Sequence, residues 1–103
     1  MTFEEYQRQV AEWTSQFVPQ YWTPHQIVSQ MIEEEGEISR IINRVYGPKP
    51  PKQGEDLKDL GCELGDLLFA IVCMANREGI NLDEAWKQSM DKKTERDKDR
   101  FNR

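Results

Sequence analysis

No stretch of this chain approaches the roughly 18–20 apolar residues that a membrane-spanning helix needs. Nor does any segment alternate between apolar and polar for long enough to make a convincing strand. Positive charge is in deficit: 14 Lys and Arg face 19 Asp and Glu, for a net charge of −5. That balance argues against partnership with nucleic acid or with an anionic membrane surface. There is a single histidine, His25, with no Glu three residues before it. A di-iron carboxylate bundle, which needs Glu-x-x-His pairs, is therefore excluded. Cys62 and Cys73 fall in one expected helix, eleven residues apart. At about 1.5 Å rise per residue they cannot bridge, and they read as reduced core thiols. The opening Met1-Thr2-Phe3-Glu4-Glu5 has no basic stretch followed by an apolar one. This leads to the expectation of a cytoplasmic protein without a secretory leader.

What is present is helical patterning along most of 103 residues, a length that suits one domain spanning 1–103. Thr2, with Glu5 three residues later, predicts a capping box opening a helix from about Phe3 to Phe17, with Pro19 beyond it. Thr23-Pro24 is a second start signal. Ile27, Met31, Glu34, Ile38, Ile41 and Val45 then recur at spacings of four and three, until Gly47 and Pro48 stop the helix. Gly47 to Gly54 reads as a proline-stiffened loop. A third helix is expected from about Glu55 to Arg77, with the stripe Leu57, Leu60, Leu64, Leu67, Ile71 and Met74 and a capping Gly79. Beside that stripe runs a second line, Glu63, Asp66, Ala70 and Cys73. A fourth helix begins near Leu82 or Asp83 and runs into a charge-dense tail.

The informative residues are two pairs of carboxylates, Glu34/Glu37 and Glu63/Asp66, each spaced three apart on a long helix. Residues at that spacing share a helix face, about 5–6 Å apart at Cβ. The two helices are joined by a short loop and are expected to lie antiparallel. Packed together they point four acids at one spot, which is unfavourable without a cation. Glu34 also interrupts an apolar stripe, and none of the four has Lys or Arg at i+4; Arg40, three after Glu37, is the nearby base. Oxygen-only donors select a hard divalent ion, Mg²⁺ with Mn²⁺ as a substitute. His25, in a first helical turn, reads as a surface residue.

Glu33-Glu34-Glu35-Gly36-Glu37 and Glu63-Leu64-Gly65-Asp66-Leu67-Leu68-Phe69 together resemble the MazG-like nucleoside triphosphate pyrophosphohydrolases of the all-α NTP pyrophosphatase superfamily. Gly79-Ile80-Asn81-Leu82-Asp83-Glu84-Ala85 and the tail from Lys92 to Phe101 are similar as well. The resemblance covers about residues 15–103. It departs at Thr94, where close relatives often carry an asparagine.

That resemblance implies an all-α, four-helix MazG-like bundle completed by oligomerisation, as a homodimer or homotetramer. It implies Mg²⁺ on Glu34, Glu37, Glu63 and Asp66, with Glu33 as the base that orients the attacking water. The reaction it implies is hydrolysis of a nucleoside triphosphate between the α- and β-phosphates, in the service of nucleotide-pool cleaning. Lys92 and Arg96 of the tail, and with them Lys93 and Arg100, are the expected phosphate contacts. The aromatics Trp13, Phe17, Tyr21 and Trp22 cluster near the first helix, and Phe17 and Trp22 are the candidates to meet the base. The competing expectation is a non-catalytic helical dimerisation module whose acids bind metal only structurally.

Overall fold

The computed structural model describes residues 1–48 and 57–101. It is all-α: α1 spans Phe3–Thr14, α2 Pro24–Tyr46, α3 Leu57–Glu78 and α4 Leu82–Phe101. No strand occurs among the described residues. The expected loop tip and the start proposed at Glu55 lie outside them.

Thr2 caps α1 by accepting from the Glu5 N–H at 3.1 Å. The box is left half made, because the Glu5 carboxylate takes the Thr2 hydroxyl hydrogen at 3.3 Å instead of a backbone N–H. The helix ends at Thr14, one turn short of the expected Phe17. Polar side chains claim the last carbonyls there. Thr14 donates to Val10 O at 2.8 Å, Ser15 to Glu12 O at 2.6 Å and Gln16 to Trp13 O at 2.9 Å. A Thr-Ser-Gln run that satisfies the terminal carbonyls locally competes with further helical turns. The chain then passes through a cis Val18–Pro19 bond to α2.

At the start of α2 the capping box is complete. Thr23 accepts from the Gln26 N–H at 3.2 Å, Gln26 accepts from the Thr23 N–H at 3.0 Å, and Pro24 occupies the first turn. The expected stripe is the face that packs: Ile27 and Ile41 are buried, and Met31, Glu34, Ile38 and Val45 are half-buried. Gly47 follows α2 in an extended conformation (φ −82°, ψ 175°), so it is not a left-handed cap. Glycine is needed there because a Cβ would run into the Asn43 carbonyl oxygen.

α3 packs on both α2 and α1. Among its described side chains the buried ones are Ala70, Val72, Cys73 and Ala75, which overturns part of the expected stripe. Leu60, Leu67 and Met74 are half-buried, but Leu64 and Ile71 are exposed at 50% and 37%. The small side chains let two helices approach α3 closely, and the bulkier leucine edge is left outside. Cys62 is exposed, so only Cys73 is a core thiol.

At the end of α3, Ile80 N–H reaches Ala75 O at 2.8 Å and Gly79 N–H reaches Asn76 O at 3.3 Å. Gly79 holds φ +68°, the left-handed cap that only glycine adopts without cost. A polar belt ties α1 to this corner. Asp83 accepts from the Phe3 and Glu4 N–H groups, each at 3.1 Å, acting as a cap supplied from α4. Gln7 donates to Ile80 O at 2.8 Å and accepts from Leu82 N–H at 3.0 Å, while Asn76 donates to Gln7 O at 2.9 Å. Phe3 stacks near Trp86, with centroids 5.9 Å apart.

Candidate metal and nucleotide site

Glu34 on α2 and Glu63 and Asp66 on α3 converge where the two helices pack. One carboxylate oxygen from each lies within 4.8 Å of the others. Glu34 and Glu63 are half-buried and Asp66 is exposed. A hydrogen bond with Glu34, partial desolvation and the charges of Glu34, Asp66 and Glu37 all push the Glu63 carboxyl up to about 7. The donor set is all oxygen and acidic, which fits a hard divalent ion.

Glu37 is turned away from this group. It accepts from Arg40 at 2.7 and 3.2 Å, an exposed i,i+3 pair. The sequence puts four acids in reach of one point; the geometry gathers three and leaves the fourth close enough for its charge to act on Glu63. Exposed pairs of this kind are weak, so Glu37 is free to exchange its partner.

The other expected site residues are spread more widely. Glu33 is exposed on α2, next to Glu34. Lys92, Lys93 and Arg96 are exposed on α4, where Lys93 donates to Ser89 at 2.7 Å and Arg96 forks onto Asp97 at 2.8 and 3.0 Å. The Arg100 side chain lies outside the described ones. His25 is exposed, as expected.

Phe17 and Trp22, by contrast, share a cavity of about 370 Å³. Trp13, Phe69, Tyr21, Ile27, Ala70 and Cys73 complete most of its wall. The Trp13 ring meets Phe17 edge-on at 5.1 Å and Phe69 at 5.7 Å, which fixes a rigid aromatic corner. Gln30 links the cavity to the acids: it lines the one and donates to Glu34 at 2.7 Å in the other. Sequence reasoning missed Gln30 and Phe69. Gln30 had a readable signal, since it precedes Glu34 by one helical turn on the same face; Phe69 had none beyond the apolar width of its helix.

The described residues thus place a triad of carboxylates beside an aromatic cavity. The family model of the MazG nucleotide pyrophosphohydrolase domain matches residues 22–101. The chain belongs to the MazG family. It is a hydrolase, and its activity is that of a nucleotide pyrophosphatase. This sets aside the non-catalytic module. A Bacillus subtilis (strain 168) relative, named as uncharacterized protein YpjD, is 41% identical over 102 residues, 99% of this chain and 92% of its own. The crystal structure of YPJD from Bacillus subtilis, described as a pyrophosphatase candidate, superposes with TM-score 0.81 at 39% identity, covering 89% of this chain and 94% of that one. The Bacillus-conserved MazG protein, described as a nucleotide pyrophosphohydrolase, gives TM-score 0.77 at 33% identity over 89% and 88% of the two chains. The family match takes in both acidic motifs and begins at Trp22, so the cavity wall from α1 lies before it.

Proposed function

We propose that this MazG protein hydrolyses nucleoside triphosphates between the α- and β-phosphates, releasing a monophosphate and pyrophosphate. The observation that carries the reading is the adjacency of the Glu34–Glu63–Asp66 group to the aromatic cavity through Gln30. Glu34, Glu63 and Asp66 would hold Mg²⁺, with Glu37 as a fourth carboxylate once exchanged from Arg40. Such an ion would supply neutralisation of phosphate charge.

The protein's own groups do the rest. Glu33, exposed beside Glu34, orients the attacking water and accepts its proton. Phe17 and Trp22 hold the base against the aromatic corner, which positions the phosphates at the acids. Lys92, Lys93, Arg96 and Arg100 steady the departing pyrophosphate. Lys93 and Arg96 make exposed bonds within α4 that a phosphate would displace, and self-association of the chain as a dimer or tetramer would complete the site.

The test is product analysis with Mg²⁺ and each common nucleotide. Pyrophosphate and a monophosphate in equal amounts are expected. Stepwise release of single phosphates through a diphosphate would overturn the cleavage position.

A further inference from the structure

Gln30 and Glu34 stand one helical turn apart on α2, and both are half-buried. Gln30 Nε2 donates to Glu34 Oε1 at 2.7 Å. An ionised carboxylate only accepts, so the nitrogen end of the amide is the end that faces it. Glu34 is the acid that α2 contributes to the triad, while Glu63 and Asp66 both come from α3. The bond to Gln30 therefore bears on the cluster member whose placement depends on how the two helices meet.

On an exposed helix an amide–carboxylate pair at this spacing is a minor local contact. Two observations give this one a different weight. The first is the fate of Glu37, the other acid of the same motif. Its partner is the Arg40 guanidinium at 2.7 Å, and it is turned out of the group. Glu34 is held from the opposite direction along the helix by a neutral amide, and it stays in the group. The second is repulsion. Glu63 feels the charges of Glu34, Asp66 and Glu37. Mutual repulsion of this kind favours rotamers that swing a carboxylate out to water. A donor on the α2 side opposes that swing for Glu34. Being neutral, it fixes the direction of the carboxylate and leaves its charge for a metal.

We infer that Gln30 is a positioning residue, which holds the Glu34 carboxylate at the point where the triad converges and so forms the cation site in advance. This rests on the metal-dependent reading above and deepens it. A carboxylate already fixed by a hydrogen bond has less rotamer freedom to lose when it takes a cation, and partners of ligands act on affinity in this way. Gln30 is a half-buried part of the aromatic cavity's wall, not a free surface chain, which makes it a firm support.

The experiment titrates the full chain with Mn²⁺ alone, without nucleotide, and reads the free ion by electron paramagnetic resonance. Gln30→Met keeps the length of the side chain and removes the donor. Its Mn²⁺ dissociation constant should rise about tenfold, the lower end of what losing a ligand's hydrogen-bond partner costs. Its metal-free melting temperature should stay within about 2 °C of the unaltered protein, because the pair contributes little to the helix itself. A lower melting temperature with Mn²⁺ affinity unchanged would make the bond merely structural and overturns the inference. Gln30→Ala, which suits a helix interior, gives the same reading should the methionine variant fail to fold. In turnover, the half-saturating Mg²⁺ concentration should rise by the same factor, and the rate at saturating Mg²⁺ should largely recover. If the unaltered protein leaves all Mn²⁺ free, the metal site falls and this inference with it. Mn²⁺ bound equally by the unaltered protein and both variants sinks the Gln30 assignment alone. Loss of Mn²⁺ affinity in the variants, with no pyrophosphate released from any nucleotide by the unaltered protein, sinks the reaction and keeps the assignment.

Discussion

Each acid at the centre of the site is shaped by its immediate neighbours. Glu63 is the most perturbed, and the hydrogen bond to Glu34 is the first cause. Glu63→Gln or Asp66→Asn should lower turnover roughly hundredfold or more, the scale of losing one preorganised electrostatic contact, with helix content unchanged by circular dichroism. The same changes relieve repulsion, so the metal-free Asp66→Asn protein should unfold at a slightly higher temperature. Glu63 also sets a pH dependence. Its carboxyl titrates near 7 when folded and near 4.5 when unfolded, so the folded chain binds more protons between these values. Its contribution to stability is complete below about 4.5 and is lost as pH rises through about 7. The metal-free protein should therefore lose melting temperature from pH 5 to 8, and the difference between it and Glu63→Gln should track that window. Mg²⁺ affinity should move the opposite way, rising to about pH 7 and levelling, because binding expels the proton. At this scale much was legible: the acids stand out because Glu34 interrupts an apolar stripe. The Arg40 partner of Glu37 was visible as an i+3 base. That it draws Glu37 out of the cluster was not, because a side chain choosing between two partners depends on distances that spacing does not supply.

Among the elements, starts were easier to read than faces. Thr23-Pro24 marks the beginning of α2 because capping is a local matter of one hydroxyl and a few N–H groups. Thr23→Ala should cost about 1 kcal/mol and lower the melting temperature by roughly 4–8 °C, and a shift under 1 °C in thermal denaturation would show the box to be dispensable. Gly79→Ala should cost a similar amount, because it forces a Cβ into the left-handed region at φ +68°. The end of α1 was misread because Thr14, Ser15 and Gln16 close it with their own side chains, three residues before the proline that seemed to matter. α3 was misread for a different reason. Its apolar residues cover too broad an arc for a stripe to be chosen from sequence, and Ala70 and Cys73 win the buried face because two other helices need to come close. The Asp83 cap on α1 was not legible at all, since it joins residues 79 and 80 positions apart.

The single chain is extended for its length. The radius of gyration is 17.1 Å, against about 13 Å for a compact domain of this size. The extents are 48 × 43 × 26 Å. α4 packs on α1 near its start, and its tail carries the cations proposed to meet pyrophosphate. Apolar side chains meanwhile stand in solvent along both helices that hold the acids: Val28, Ile32 and Ile42 on α2, and Leu64, Leu68 and Ile71 on α3, at 37–62% exposure. Where such side chains adjoin, exposed apolar surface of a few hundred Å² is the mark of an interface. A second copy related by a two-fold axis would cover it with the same surface and close the core that the single chain leaves open. The expected result of light scattering after size exclusion is a mass that is an even multiple of 12.2 kDa. Leu68→Lys, which places a charge on that face without touching an acid of the site, should split the assembly, lower the melting temperature and reduce turnover together. A fully active species of 12.2 kDa at micromolar concentration would mean that each chain carries a complete site, and that the exposed leucines of α3 serve something other than self-association.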